Sequence, residues 1–272
     1  MDKEGVDYAD VLKDAQELGY AESDPAADVE GSDAADKIAI LSGLAFGGSI
    51  NRSNIPTTGI NHLEAVDVNY ARKLGYGIKL LAISEKDKSP SKTEGSQPLS
   101  IWVEPTLVPE DNPLAGVNGV NNAILVEGNP IGQVMFFGPG AGSGPTASAV
   151  VADILNIAGI QSMSEDNIFN LDPLLSAKSW RNCHIAEKKQ ITKKNYIRLI
   201  AKDSPGVIGE IGTIFGKKKI SIESIVQFDV TDEEAEIVVI THKIQQGQLE
   251  EALLEIKNLS QVKRIAATMG CL

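Results

Sequence analysis

From residue 196 onward the apolar residues change period in a fixed order that few folds satisfy. Residues 196–202 (YIRLIAK) read as a strand and 203–206 (DSPG) as a turn, after which Val207, Ile208, Ile211, Ile214 and Phe215 recur at helical spacing. Residues 220–230 and 236–244 form a hairpin pattern about Thr231, Asp232 and Glu233. Leu249, Leu253, Ile256 and Leu259 stripe a second helix, and residues 262–269 return as a strand. The order β-α-β-β-α-β is that of the ferredoxin-like split unit.

The chain of 272 residues is long enough for a second unit ahead of this one. Residues 63–74 read as a helix closing on Gly75, and residues 78–83 (IKLLAI) as a strand. Residues 99–108 form a further strand whose Pro105 suggests an edge or a bulge. Residues 122–137 read as a hairpin about Glu127, Gly128, Asn129 and Pro130. The class is α+β: a mixed or antiparallel sheet covered by helices, its uncovered face a candidate dimer surface, followed by the split unit. The expected boundaries are a front domain over 1–158, a basic, aperiodic linker over 159–195 with a short helix near 173–178, and a tail domain over 196–272.

Two stretches carry chemistry. In residues 19–37 (GYAESDPAADVEGSDAADK) a helix over 8–18 stops at Gly19, a short acidic loop follows, and Ser32 is placed to cap a helix starting at Asp33. Asp33 and Lys37 share a face at i,i+4 spacing, and residues 38–46 are apolar nearly all round, as in a buried helix. Taken alone, the pair is either a routine salt bridge in a first helical turn or an acid and an amine at the mouth of a core. The second stretch is 138–146 (GPGAGSGPT), a glycine-rich turn from strand to helix opened by Pro145 and Thr146. Its spacing is not Gly-x-Gly-x-x-Gly, so by itself it is either a tight turn or a site for an anion or polar ring.

Residues 19–37, with residues 138–153 (GPGAGSGPTASAVVAD), resemble the two signatures of homoserine dehydrogenases, in the right order. The resemblance implies interconversion of L-homoserine and L-aspartate 4-semialdehyde with NADP or NAD. It makes Lys37 the general acid and base, Asp33 its catalytic partner, Glu22 and Asp33 the substrate-binding carboxylates, and Gly19, Gly140 and Gly142 cofactor-binding positions. In that family a dinucleotide-binding Rossmann domain comes first. No Gly-x-Gly-x-x-Gly precedes Gly19, so that half is expected to be missing and this chain to be inactive alone.

The segments IRLIAKDSPGVIGEIGTIF and ISIESIVQ resemble the ACT regulatory domain, which binds amino acids between paired copies. This implies an effector site at Asp203, Gly206, Val207, Ile208 and Gln227, with threonine the natural effector, and a homo-oligomer, dimer or tetramer. Two other readings stay open: a non-catalytic amino-acid sensor with a remnant front domain, and a purely structural dimerisation tail.

Charge and composition exclude several classes. Net charge is −12, and residues 1–36 hold twelve acids against Lys3 and Lys13, a balance that repels nucleic acid. The acidic loop lacks calcium-loop spacing, and Cys183 and Cys271 form no metal-ligand pattern with the histidines. With no long apolar run and no signal-peptide layout, no membrane contact and a cytoplasmic location are expected.

Overall fold

The computed structural model describes Lys13, Gln16 and residues 24–86, 98–162, 181–231 and 234–272. A single helical turn, α1 (Ala26–Val29), leads into α2 (Ser32–Phe46), the short strand β1 (Gly48–Ser49) and α3 (Ala65–Lys73). Strands β2 (Tyr76–Lys86) and β3 (Leu99–Pro109), the hairpin β4 (Asn121–Gly128) and β5 (Gly132–Pro139), and the long helix α4 (Ser143–Gln161) follow. After β6 (Arg181–Asn182) come β7 (Thr192–Lys202), α5 (Val207–Lys217), β8 (Ile222–Thr231), β9 (Glu234–Thr241), β10 (Ile244–Gln245), α6 (Gln246–Lys257) and β11 (Val262–Cys271). The tail thus has the expected β-α-β-β-α-β order, with the two-residue β10 added beside β7.

One sheet runs through both parts of the chain, in the order β2-β3-β11-β7-β9-β8. The join is parallel, Gly270 and Cys271 of β11 standing opposite Thr106 and Leu107 of β3. All other neighbours on this path are antiparallel. On one face α5 and α6 cover Ile197, Leu199, Ala201, Ile237 and Val239. On the other, α3 covers Tyr196, Val238, Ile240, Ala267 and Met269, while α2 packs on Ile101, Val103, Leu80 and Ala82. With both faces covered, β7 is buried from Asn195 to Leu199, so it cannot alternate between apolar and polar residues as a half-solvated strand does. Each fully buried Ile or Leu contributes about 1.5–3 kcal/mol relative to exposure.

Pro105 lies in an interior strand, yet its missing N–H harms no pairing. Val103, two residues earlier, donates from the edge of β3 away from β2 to Pro56 O at 2.9 Å. Pro105 sits between that bridge and the point where β11 joins at Thr106.

Several local expectations are corrected. Ser32 is the first helical residue rather than the cap; Gly31 caps α2 in the left-handed region at φ 80°, and the Ser32 hydroxyl donates to Ala27 O at 3.2 Å. The helix is not buried all round: only Ala35, Ser42 and Gly43 are, and Ile40 is 64% exposed, because α2 packs on the sheet along one side. Pro145 is the third residue of α4, which begins at Ser143. The β4–β5 hairpin forms its own two-stranded ribbon instead of joining the large sheet. No side chain of α4 is buried by the described residues, and its apolar residues stay largely open, Leu155 at 66%.

Helix α4 crosses the boundary expected at 158. Within 159–195 the described residues include β6 paired with β1, a 3-10 turn at Lys188–Gln190 and the start of β7. Residues 173–178 lie outside the described residues, as does most of 8–18, of which Lys13 and Gln16 are helical.

Candidate functional site

The start of α2 is fixed by contacts from the segment before α3. Ile60 N–H donates to Val29 O at 2.8 Å, and a Cβ on Gly59 would collide with the Val29 and Glu30 backbone. A Cβ on Gly31 would stand 3.3 Å from both Thr57 and Val103 side chains, so glycine there serves close approach as well as positive φ. This places Asp33 in the first turn, where the helix dipole favours a carboxylate.

Lys37 Nζ donates to Asp33 Oδ2 at 2.6 Å, with the two side chains 65% and 43% exposed. The expected mouth of a core is instead an open helix face, beside a second surface pair in which Arg52 Nε donates to Asp36 Oδ1 at 2.8 Å. Exposed pairs of this kind contribute little stability, but an ammonium and a carboxylate held together in solvent are free to meet a polar small molecule. Gly19 and Glu22 lie outside the described residues.

The glycine turn belongs to another element. Gly140 N–H donates to Val120 O at 3.1 Å, and a Cβ on Gly140 would overlap the Asn122 side chain. Gly142 caps α4 at φ 116°, and Gly138 and Gly144 face open space. An open glycine turn feeding a helix N-terminus suits one polar end of a nicotinamide dinucleotide. No Gly-x-Gly-x-x-Gly turn joins a strand to a helix among the described residues, so they fit part of such a cofactor.

In the tail, Asp203, Gly206, Val207, Ile208 and Gln227 surround one cavity of about 460 Å³. Gly206 caps α5 in the left-handed region at φ 96°, leaving the first-turn amides free. Gln227 Nε2 donates to Asp203 Oδ1 at 3.0 Å and so holds the turn against β8. Sequence reasoning missed five further lining residues, Lys202, Ser204, Pro205, Gly209 and Ile237. Ser204 Oγ is buried without a hydrogen-bond partner, and Ile237 stands opposite Gln227 on β9. The signal for Ser204 was its place in the turn, and for Ile237 the hairpin register.

Sequence reasoning also missed a buried ion-pair cluster between α3 and the tail sheet. Arg198 on β7 is fully buried and donates from Nε to Asp67 Oδ1 at 2.6 Å and from Nη2 to Asp67 Oδ2 at 3.0 Å. It also reaches Glu64 Oε2 at 2.7 Å and Glu236 Oε2 at 3.2 Å, while Tyr196 O–H donates to Asp67 Oδ1 at 3.3 Å. Burial opposes the Arg198 charge, but the bonds to Asp67 and Glu64 outweigh it and raise its pKa. The Arg198 hydrogen bond, acting against burial, holds Glu64 below the usual carboxylate range. Burial, followed by Glu236, pushes the Tyr70 phenol up to about 12. The signal was a lone arginine inside an apolar strand.

A family model described as homoserine dehydrogenase matches residues 1–155, and one described as ACT domain matches 195–261. A homoserine dehydrogenase of Synechocystis sp. is 49% identical over 272 residues, covering 100% of this chain and 62% of that protein. One of Neisseria gonorrhoeae is 40% identical, covering 97% of this chain and 59% of that protein. The crystal structure of a homoserine dehydrogenase from Thiobacillus denitrificans superposes with a TM-score of 0.87 at 35% identity, covering 100% of this chain and 60% of that one. This chain therefore spans about three fifths of the relatives it matches. Since the first match takes in the Asp33–Lys37 helix, the glycine turn and the sheet strands between them, the chain belongs to the homoserine dehydrogenase family.

Proposed function

We propose that this chain is the substrate-binding and regulatory portion of an NAD(P)-dependent homoserine dehydrogenase, serving threonine and methionine synthesis in the cytoplasm. The observation that carries this reading is the exposed Asp33–Lys37 pair at 2.6 Å, inside the segment matched to the family. Asp33 and Glu22 take the substrate's ammonium and hydroxyl groups by charge-assisted hydrogen bonds. Lys37 donates a proton to the aldehyde oxygen in one direction and withdraws it from the homoserine hydroxyl in the other. The nicotinamide supplies or accepts the hydride when bound. Gly140 and Gly142 would lie along the cofactor's polar edge, with Gly19 beside it.

The division into 1–158, 159–195 and 196–272 is retained as a functional one. The tail cavity binds a small amino acid, threonine first, through the α5 amides, Asp203 and Gln227. The β4–β5 ribbon and α4, with Phe136, Phe137, Ile154 and Leu155 exposed, pair two copies of the chain.

The test of the catalytic reading is a chimera in which this chain replaces the matching portion of the Synechocystis relative. The proposal expects homoserine-dependent reduction of NAD(P), and a folded chimera without turnover contradicts it. The chain by itself is expected to give no turnover in the same assay. Calorimetric titration with threonine, isoleucine, methionine and lysine tests the tail; no heat from any at millimolar concentration contradicts the effector reading.

A further inference from the structure

The tail cavity and the ion-pair cluster lie on opposite faces of the same strands. Gln227 and its cross-strand partner Ile237 line the cavity. The next pair along the ladder, Phe228 and Glu236, faces α3. The Phe228 ring stacks on Tyr70 of α3 with centroids 4.1 Å apart and planes 7° from parallel, and Glu236 accepts from Arg198. Lys73, one turn along α3, lies 5.2 Å from the Phe228 centroid. Successive side chains on a strand point to opposite faces but share a peptide unit, so a shift of the backbone at Gln227 is felt at Phe228.

The contacts continue from α3 to the candidate catalytic helix. Leu63 packs against the same cluster as Tyr70, and its N–H donates to Ile60 O at 3.1 Å. Ile60 N–H in turn donates to Val29 O, two residues before the Gly31 cap of α2. Asp33 and Lys37 stand in the first turns of that helix.

We infer that β8 transmits occupancy of the tail cavity to α3 through the Phe228–Tyr70 stack, and from α3 to the turn that starts α2; this rests on the effector reading proposed above. Of the stack and the Arg198 cluster, the stack is the yielding contact between α3 and the tail sheet. Phe228 is only partly buried, whereas Arg198 is sealed and bonded to three carboxylates. An amino acid in the cavity shifts α3 by as much as it prefers one position of β8 over the other, and the coupling is reciprocal.

The experiment is hydrogen–deuterium exchange on the whole chain with and without saturating threonine, read over residues 55–75, beside calorimetry on the same samples. Threonine is expected to change exchange there by about 2-fold or more in the unaltered chain. Phe228→Leu is expected to bind threonine within about 3-fold of the unaltered affinity and to lose that change. Tyr70→Leu breaks the same stack from the helix side and should behave alike, while Tyr70→Phe keeps the rings and the response. Binding without any change over 55–75, or a full response in both leucine variants, overturns the inference and leaves the effector reading standing. Absence of threonine binding in the unaltered chain removes the effector reading and this inference together.

Discussion

Two acid–cation pairs in this protein have the same closest approach, 2.6 Å, and opposite surroundings. Lys37 and Asp33 sit on an open helix face, whereas the Arg198 and Asp67 side chains are both 0% exposed. In water the Coulomb gain of the first pair is largely screened, so it adds a few tenths of a kcal/mol to folding and stays available to a ligand. In the second, both ions have lost hydration, and only the forked geometry with its extra bonds to Glu64, Glu236 and Tyr196 makes burial tolerable. Burial, rather than residue type, separates a pair that stays open to a ligand from one that holds two parts of the chain together.

The largest expected effect breaks the buried pair. Arg198→Met leaves the Asp67 carboxylate in the core without its cation and should cost about 3–5 kcal/mol in chemical denaturation. Removing Asp67 as well, with Arg198→Met and Asp67→Leu, should cost less than the single change, because the fully buried carboxylate goes with its cation and only Glu236 and the part-exposed Glu64 stay behind. A loss under about 1 kcal/mol for Arg198→Met would show that the cluster is hydrated rather than sealed.

Next in size is Gly59→Ala, whose new Cβ would press on the Val29–Glu30 backbone. Overpacking of this kind costs about 1–3 kcal/mol and should shift the turn that starts α2. An unchanged melting curve would mean that this turn moves aside freely.

The Arg198 cluster also makes stability depend on pH. The folded pKa of Glu64 lies below its unfolded value, so the unfolded chain binds more protons as the carboxylate titrates. Its contribution is present above the unfolded value of about 4.3 and is lost as pH falls through the lower folded value. Glu64→Gln should therefore flatten the acid limb of a stability-against-pH curve, and an unaltered limb would remove Glu64 from the cluster's energetics. Smallest of all, Lys37→Ala should change stability by less than about 0.5 kcal/mol.

The tail's element order was legible because each segment's period is local: β7 and α5 differ in spacing across a four-residue turn. Arg198 was not, because a lone arginine in a strand pattern reads as solvent-facing, and the carboxylate that neutralises it comes from 131 residues earlier. The parallel join of β11 to β3 was hidden for the same reason, resting on two residues at the end of the last strand. The Asp33–Lys37 pair was legible from i,i+4 spacing, but its exposure was not. The apolar run of residues 38–46 implies cover all round, and the structure supplies it along one side only. Ser204 was legible as a turn residue, and only folding reveals its hydroxyl as unpartnered in the tail cavity.

The most direct test of this account is Lys37→Met in the chimera with the Synechocystis relative, with turnover and melting temperature measured on the same preparation. Turnover is expected to fall by about 100-fold or more, as for a lost general acid, while the melting temperature moves by no more than about 2 °C. Turnover near that of the unaltered chimera would reduce the exposed pair to a surface salt bridge and contradict the account.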